Sequence, residues 1–119
     1  MKKIKIKRGS GKYESERTKA DVANGLAVHE GIGAARGRYV VTHNKSGHAI
    51  PWCCDTMEKA VAARDEISPL MNWESATLKD VVAGKKHIMK PIKKAFQSRG
   101  GVSIEELEIL RRSQYGGAV

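Results

Sequence analysis

Two histidines and two cysteines, residue types that bind zinc or form a nucleophilic pair, occur close together as His43, His48, Cys53 and Cys54. Their spacing, His-x4-His-x4-Cys-Cys, matches no standard zinc pattern. A hairpin in which Asn44 pairs with His48 would place His43 and His48 on opposite faces. Nothing in the spacing selects a histidine to activate a thiol. The sequence therefore predicts no metal site, no catalytic residue and no cofactor.

Three glycines raise a second chemical possibility, a loop that cradles a phosphate. Gly31, Gly33 and Gly37 follow the spacing Gly-x-Gly-x-x-x-Gly, which matches neither the dinucleotide fingerprint nor the P-loop. A β-rich segment follows them instead of the helix whose N-terminus would hold the phosphate. We therefore expect an ordinary β connection here and no nucleotide site.

The basic residues are unevenly distributed along the chain, which has 119 residues and a net charge of +9. Residues 1–12 and residues 85–99 each contain six basic and no acidic residues, whereas the other 92 residues contain ten basic and thirteen acidic residues. Concentrated cationic segments attract polyanions, because each phosphate that they neutralise releases condensed counterions. The alternative explanation is a lysine-rich face that is simply solvated.

The predicted binding residues lie in these two segments and are Lys3, Lys5, Lys7, Arg8, Lys85, Lys86, Lys90, Lys93, Lys94 and Arg99. The expected partner is the backbone of DNA or RNA, although an acidic protein surface would satisfy the same lysines. Lysine suits phosphates better than base edges, so we expect weak sequence discrimination. Only six residues are aromatic, which argues against a stacking platform for single strands.

Strands are predicted mainly in the first half of the chain. Period-2 alternation and β-branched residues predict strands over residues 3–7, 25–29, 38–44 and 48–54. Gly47 is expected to take the left-handed conformation in the turn of the central hairpin. Pro51 cannot donate to a ladder, so the second strand of the hairpin should lie at an edge or carry a bulge. A short helix is expected over residues 16–23.

Helices are predicted in the second half. Capping residues and apolar periodicity predict helices over residues 55–67, 77–84, 86–98 and 103–113. Gly84 is expected to close the second of these. Pro91 is expected to kink the third or to mark its first turn.

Strands followed by helices are typical of an α+β fold. We expect a small antiparallel sheet, made of the N-terminal strand and the central hairpin, packed against one helix and followed by a helical C-terminal part. The length is that of a single domain over residues 1–119. Residues 1–54 would be mainly strands and residues 55–113 mainly helices, with residues 114–119 a frayed tail.

The expected location is a reducing cytoplasm. No apolar run approaches the length that crosses a bilayer, and no hydrophobic region follows the N-terminal lysines as it would in a signal peptide. Cys53 and Cys54 are neighbours, and adjacent cysteines rarely bridge because a disulfide between them strains the peptide. We therefore expect no membrane partner and no disulfide framework.

The stretch Tyr39-Val-Val-Thr-His-Asn-Lys-Ser-Gly-His-Ala-Ile50, leading into Thr56 and an alanine-rich helix, resembles short accessory proteins of phages and plasmids. The resemblance implies an origin in such an element, action in the host cytoplasm, and nucleic-acid binding or inhibition of a host defence complex, as in anti-CRISPR proteins. It identifies no functional residue.

The sequence therefore favours a non-catalytic accessory protein that binds nucleic acid through phosphate contacts with low sequence specificity. The alternative is a protein–protein inhibitor, similar to anti-CRISPR proteins, that covers an acidic surface of a defence or nucleic-acid-processing complex. A small enzyme with a cysteine or histidine site is the third expectation.

Overall fold

The strands form one antiparallel sheet. The computed structural model of the chain describes residues 2–7, 15–31 and 35–116. Within these residues the strands lie in the sheet in sequence order: β1 (Lys2–Lys7), β2 (Ser15–Ala23), β3 (Leu26–Glu30), β4 (Tyr39–His43), β5 (His48–Cys54) and β6 (Val102–Ser103). The α-helices of the described residues are α1 (Met57–Ile67) and α2 (Leu78–Gln97), between β5 and β6, and α3 (Ile104–Gly116), after β6. The fold is α+β, as predicted, and its sheet is larger than expected.

The second strand, β2, takes the place of the short helix predicted over residues 16–23, so that prediction was wrong. Its first six residues pair with β1 and its last three pair with β3. The two-residue turn Asn24-Gly25 joins β2 to β3 with positive φ angles of 54° and 79°, as such a hairpin turn requires. Local propensity does not decide the structure of this charged segment. It is a strand because its first part pairs with β1 and its last part pairs with β3.

The hairpin of β4 and β5 forms where it was predicted, but with a different register. Gly47 has a φ of 73°, and its N–H donates to the carbonyl of His43 at 2.8 Å. His43 pairs with His48, whereas the predicted pairing was Asn44 with His48. The two histidines therefore lie on the same face, and the prediction of opposite faces was wrong.

Helices α1 and α2 both pack on one face of the sheet, where a single helix was predicted. The core between them and the sheet is mainly aliphatic, and its two largest side chains, Trp73 and Phe96, are at most 1% exposed. The strands contribute Leu26, Val28, Val41 and Ile50 to this core. Burial of this apolar surface is what fixes α2 against the sheet.

The second helix, α2, is longer than predicted. It begins at Leu78 behind Thr77 and continues through Gly84 to Gln97, so the prediction that Gly84 closes a separate helix was wrong. A Cβ at this glycine would lie 2.9 Å from Met71 Cε. That atom is the end of a flexible side chain, so the contact alone does not require glycine at this position.

Helix α3, which follows the edge strand β6, packs on the other face of the sheet. Ile104 and Leu107 of α3 pack there in one cluster with Val40, Cys53 and Val102 of the strands. A strand of two residues has no periodicity, which explains why β6 was not predicted.

The predicted tail divides into two parts. Residues 114–116 continue α3 instead of fraying, whereas residues 117–119 lie outside the described residues. None of the helices in the described ranges is long and apolar enough to cross a membrane.

A buried histidine on β3 links this strand to β4. His29 is 2% exposed, with Nδ1 2.7 Å from the carbonyl oxygen of Glu30 and Nε2 2.6 Å from Thr42 Oγ1. A carbonyl can only accept, so Nδ1 donates and Nε2 accepts from the hydroxyl of Thr42. Burial lowers the pKa of His29, partly opposed by the bond to the Glu30 carbonyl.

This burial makes the stability of the protein depend on pH. The unfolded chain takes up a proton on His29 below its ordinary pKa of 6.5, while the folded chain resists protonation. We therefore expect the free energy of unfolding to fall as the pH drops below 6.5, until the lowered native pKa is reached. Urea unfolding across this range should show a weaker dependence for His29→Gln, whereas exposed His87→Gln should behave as the parent. An unchanged dependence in His29→Gln would contradict this assignment.

Candidate nucleic-acid interface

Helix α2 carries five of the ten predicted binding residues, and a capping box fixes its start. Thr77 Oγ1 accepts a hydrogen bond from the Asp80 N–H at 3.2 Å, and the Asp80 carboxylate accepts one from the Thr77 N–H at 2.9 Å. The N–H and the hydroxyl of Thr77 both donate to the Asp80 carboxylate, and they lower the pKa of Asp80 because they stabilise its charged form. Asp80 is the only acidic residue of α2, so the rest of the helix carries no negative side chain.

The apolar spacing of α2 determines which side faces solvent. The residues buried against the sheet and α1 are Val81, Ile92, Ala95 and Phe96, with the partly buried Ile88 one helical turn before Ile92 on the same side. Lysines lie on the other side of the helix, where Lys90, Lys93 and Lys94 are exposed. Residues three and four apart are neighbours on a helix surface. We call these three residues the α2 lysine cluster.

The α2 lysine cluster has no acidic partner among the described residues, where no carboxylate lies within 4.0 Å of its ammonium groups. Cations on α1 behave differently. Lys59 pairs with Asp55 at 2.9 Å, and Arg64 pairs with Asp21 at 2.9 Å and with Asp65 at 3.0 Å. Among the described residues, the cations of α1 are therefore neutralised within the fold, whereas those of the cluster are not.

Arg99, also predicted to bind phosphate, has a mainly structural set of contacts. Its guanidinium donates to the Ala95 carbonyl at 2.7 Å and to the Glu66 carboxylate at 3.1 Å. It thereby ties the end of α2 to α1, and 26% of its side chain is exposed. A ligand would have to compete with Glu66 for this cation.

The remaining predicted residues fall into two groups. Lys85 and Lys86 belong to α2 and precede the cluster by about one turn, whereas Lys3, Lys5 and Lys7 belong to β1. Arg8 lies outside the described residues.

The strand register adds two basic residues that sequence reasoning missed. Lys3 pairs with Lys19, and Lys5 pairs with Arg17. Arg17 and Lys19 were assigned to a helix, which hid their relation to the N-terminal lysines. Their i, i+2 spacing just before the Asn24-Gly25 turn was the available indication of a strand.

The two cysteines are buried, and His43 is held by hydrogen bonds within the fold. Burial raises the pKa of both Cys53 and Cys54, so both thiols are protonated at neutral pH. His43 Nε2 is 2.7 Å from the Trp73 carbonyl, and its Nδ1 is 2.7 Å from Ser46 Oγ. No group of three His, Cys, Asp or Glu side chains there could hold a metal ion.

Comparison with known proteins identifies no relative. No family model matches the chain, and no curated protein and no solved structure is significantly similar to it.

Proposed function

We propose that this protein is a non-catalytic nucleic-acid-binding accessory protein and that the α2 lysine cluster contacts phosphates. The observation that carries the proposal is the exposed set of three ammonium groups on one side of α2, without a carboxylate partner among the described residues. Lys85 and Lys86 extend the same helix toward its N-terminus and add to its positive field.

The arrangement of the cluster is unfavourable for the isolated protein. Lys90 and Lys94 are four residues apart, and Lys90 and Lys93 are three apart, so each pair of like charges repels. A polyanion replaces this repulsion with attraction and releases the counterions condensed on its own backbone. The cluster is therefore better explained by a phosphate backbone than by a requirement of the fold.

The chemistry of the cluster also indicates what is recognised. An ammonium group is a compact charge that binds phosphate without the planar fork by which arginine reads guanine. Contacts to phosphate position a protein but carry no sequence information directly. Binding through α2 should therefore be strong at low salt and nearly independent of base sequence.

Two features support a non-catalytic role. Neither thiol has the lowered pKa of a nucleophile, since burial raises both. His29 and His43 are buried in hydrogen bonds to Thr42 and Trp73, respectively, so they link parts of the fold to one another.

The test is fluorescence anisotropy with random duplex DNA, single-stranded DNA and RNA at about 50 mM and about 200 mM salt. The variant is Lys90→Gln, Lys93→Gln, Lys94→Gln. We expect an affinity loss on the order of 100-fold and a salt slope reduced by about 0.9 for each phosphate contact removed. The matched control is Arg36→Gln, Lys45→Gln, Lys59→Gln, which removes the same charge from exposed positions outside α2 and should cost only a few-fold.

Equal losses in the two triple variants would refute a specific role for the cluster and leave only a general effect of net charge. If the parent protein binds none of these nucleic acids at low salt, the proposal is wrong. The second expectation from the sequence, an inhibitor that covers an acidic protein surface, would then take its place.

A further inference from the structure

The first two strands form a ribbon that extends beyond the rest of the sheet's ladder. Residues Ser15–Ala20 of β2 pair with β1, and the pairing of β2 passes to β3 only from Asp21 onward. Among the described residues, the first six residues of β2 therefore pair with β1 and with no other strand. At about 3.4 Å per residue, the paired segment is roughly 20 Å long. We call these two segments, Lys2–Lys7 and Ser15–Ala20, the β1–β2 ribbon.

The register of the ribbon assembles a cationic face. Residues directly opposite each other in an antiparallel pair lie on the same face, and residues two apart along a strand share that face. One face of the ribbon therefore contains five basic positions: Lys3, Lys5, Lys7, Arg17 and Lys19. Glu16, the one acidic residue among the twelve paired positions, lies on the opposite face, across from Ile6.

This charge pattern costs stability. Lys3 directly faces Lys19 and Lys5 directly faces Arg17, and like charges directly opposite each other destabilise a strand pair. Two such pairs follow each other on the same face. A ribbon needs no like-charged pairs to fold, so their presence points to an anionic ligand that offsets the repulsion.

The curvature of the sheet indicates which face of the ribbon turns inward. β1 comes into contact with β5, although β2, β3 and β4 lie between them in the sheet. At the inner end of the ribbon, Ala20 is fully buried and packs with Ala27. The ribbon therefore curls over the face that carries Ala20, and the five basic positions belong to the other face.

The shape of the ribbon selects the kind of nucleic acid. The major groove of B-form DNA is wide enough to admit a two-stranded β-ribbon, whereas the major groove of A-form RNA is too narrow for side chains to read. Single strands are usually bound by stacking on aromatic side chains, and none of the twelve paired positions is aromatic. Arg17 is the one arginine among the five basic positions, and arginine is the residue type that reads guanine in this groove.

We infer that the β1–β2 ribbon is a duplex-DNA-binding element that enters the major groove with its cationic face. This inference rests on the proposed function, because it specifies double-stranded DNA as the ligand and adds a second contact surface to the α2 lysine cluster. The ribbon faces the groove, while the cluster contacts phosphates.

The experiment compares Lys5→Gln, Arg17→Gln with the control Lys45→Gln, Lys59→Gln, which removes the same charge outside the ribbon and outside α2. Anisotropy is measured with duplex DNA, duplex RNA and single-stranded DNA. A further probe is duplex DNA whose cytosines carry glucosyl groups in the major groove. For the parent we expect the tightest binding to plain duplex DNA and weaker binding to the glucosylated duplex. The ribbon variant should lose roughly tenfold or more in affinity for plain duplex DNA, lose its preference over duplex RNA, and unfold at no lower temperature than the parent.

The outcomes separate this inference from the proposed function. If the α2 variant weakens binding while the ribbon variant does not, the ribbon inference is wrong and the proposed function stands. Equal binding of plain and glucosylated duplex, or a preference for RNA or single strands, would also overturn it. If the parent binds no nucleic acid, both are wrong. Arg17→Lys retains the charge, so a loss of affinity there confined to guanine-containing duplexes would support direct contact with base edges.

Discussion

Gly25→Ala is expected to lower the free energy of unfolding by about 3–4 kcal/mol, although the change adds a single methyl group. Gly25 has a φ of 79°, a conformation that L-residues rarely adopt. The added Cβ would also lie 2.6 Å from the backbone nitrogen of Glu74 and 2.6 Å from the carbonyl carbon of Trp73. Both atoms belong to the main chain, so relief of the clash requires two segments of the fold to move apart.

Gly37→Ala is the matched control for this prediction. Gly37 has a φ of 83°, almost the same backbone strain, but a Cβ there would meet no atom within 4 Å. We expect this variant to lose only about 1 kcal/mol, the cost of the left-handed conformation. Urea unfolding followed by circular dichroism measures both. Similar losses in the two variants would show that the contact at Gly25 relaxes easily and that backbone strain alone determines the effect.

Gly25 also illustrates what the sequence could predict about this fold. The Asn24-Gly25 turn follows from local chemistry, because both residues tolerate positive φ. The packing of that turn against Trp73 and Glu74 involves residues about fifty positions away, and no local pattern encodes it. The same limit explains the error at residues 16–23, whose strand exists because β1 and β3 pair with it.

The two basic surfaces also differ in how far local sequence predicts them. The α2 lysine cluster was predictable, since helical periodicity places apolar and basic residues on opposite sides of one element. Only the β1 part of the cationic face of the ribbon was predicted from the sequence. Arg17 and Lys19 join Lys3 and Lys5 through cross-strand register, which the sequence does not specify. Register depends on the loop that joins the strands and on neighbouring strands, so one-dimensional charge counts do not reveal it.

Binding and stability should separate experimentally because they depend on different residues. Lys90, Lys93 and Lys94 are exposed, and none takes part in the contacts that join the sheet to the helices. Their replacement should change affinity and salt dependence while leaving the unfolding transition nearly unchanged. A variant at the junction of Gly25 and Trp73 should instead lower the unfolding transition while leaving the affinity of the folded protein nearly unchanged, because the folded fraction still presents α2 as a helix.

Trp73→Ala is expected to lower the free energy of unfolding by about 3–5 kcal/mol. Trp73 is 1% exposed in the main core, so its removal leaves a cavity between the sheet and the helices. Its Nε1–H donates to the carbonyl of Ile67 at 3.2 Å, and its own carbonyl oxygen is 2.7 Å from His43 Nε2. The residue therefore connects the end of α1, the β4–β5 hairpin and the segment that leads into α2.

Two variants separate the contributions of this residue. Trp73→Phe retains most of the apolar volume but removes the donor to Ile67, so we expect a smaller loss of about 1–3 kcal/mol from the unsatisfied carbonyl and a partial cavity. Trp52→Ala is the control for the loss of an indole, because Trp52 is only half-buried where it stacks on Phe96. Urea unfolding by circular dichroism should rank the losses with Trp73→Ala largest. A Trp52→Ala loss as large would mean that indole volume, rather than the buried junction at Trp73, determines stability, because only Trp73 combines full burial with hydrogen bonds to two other elements.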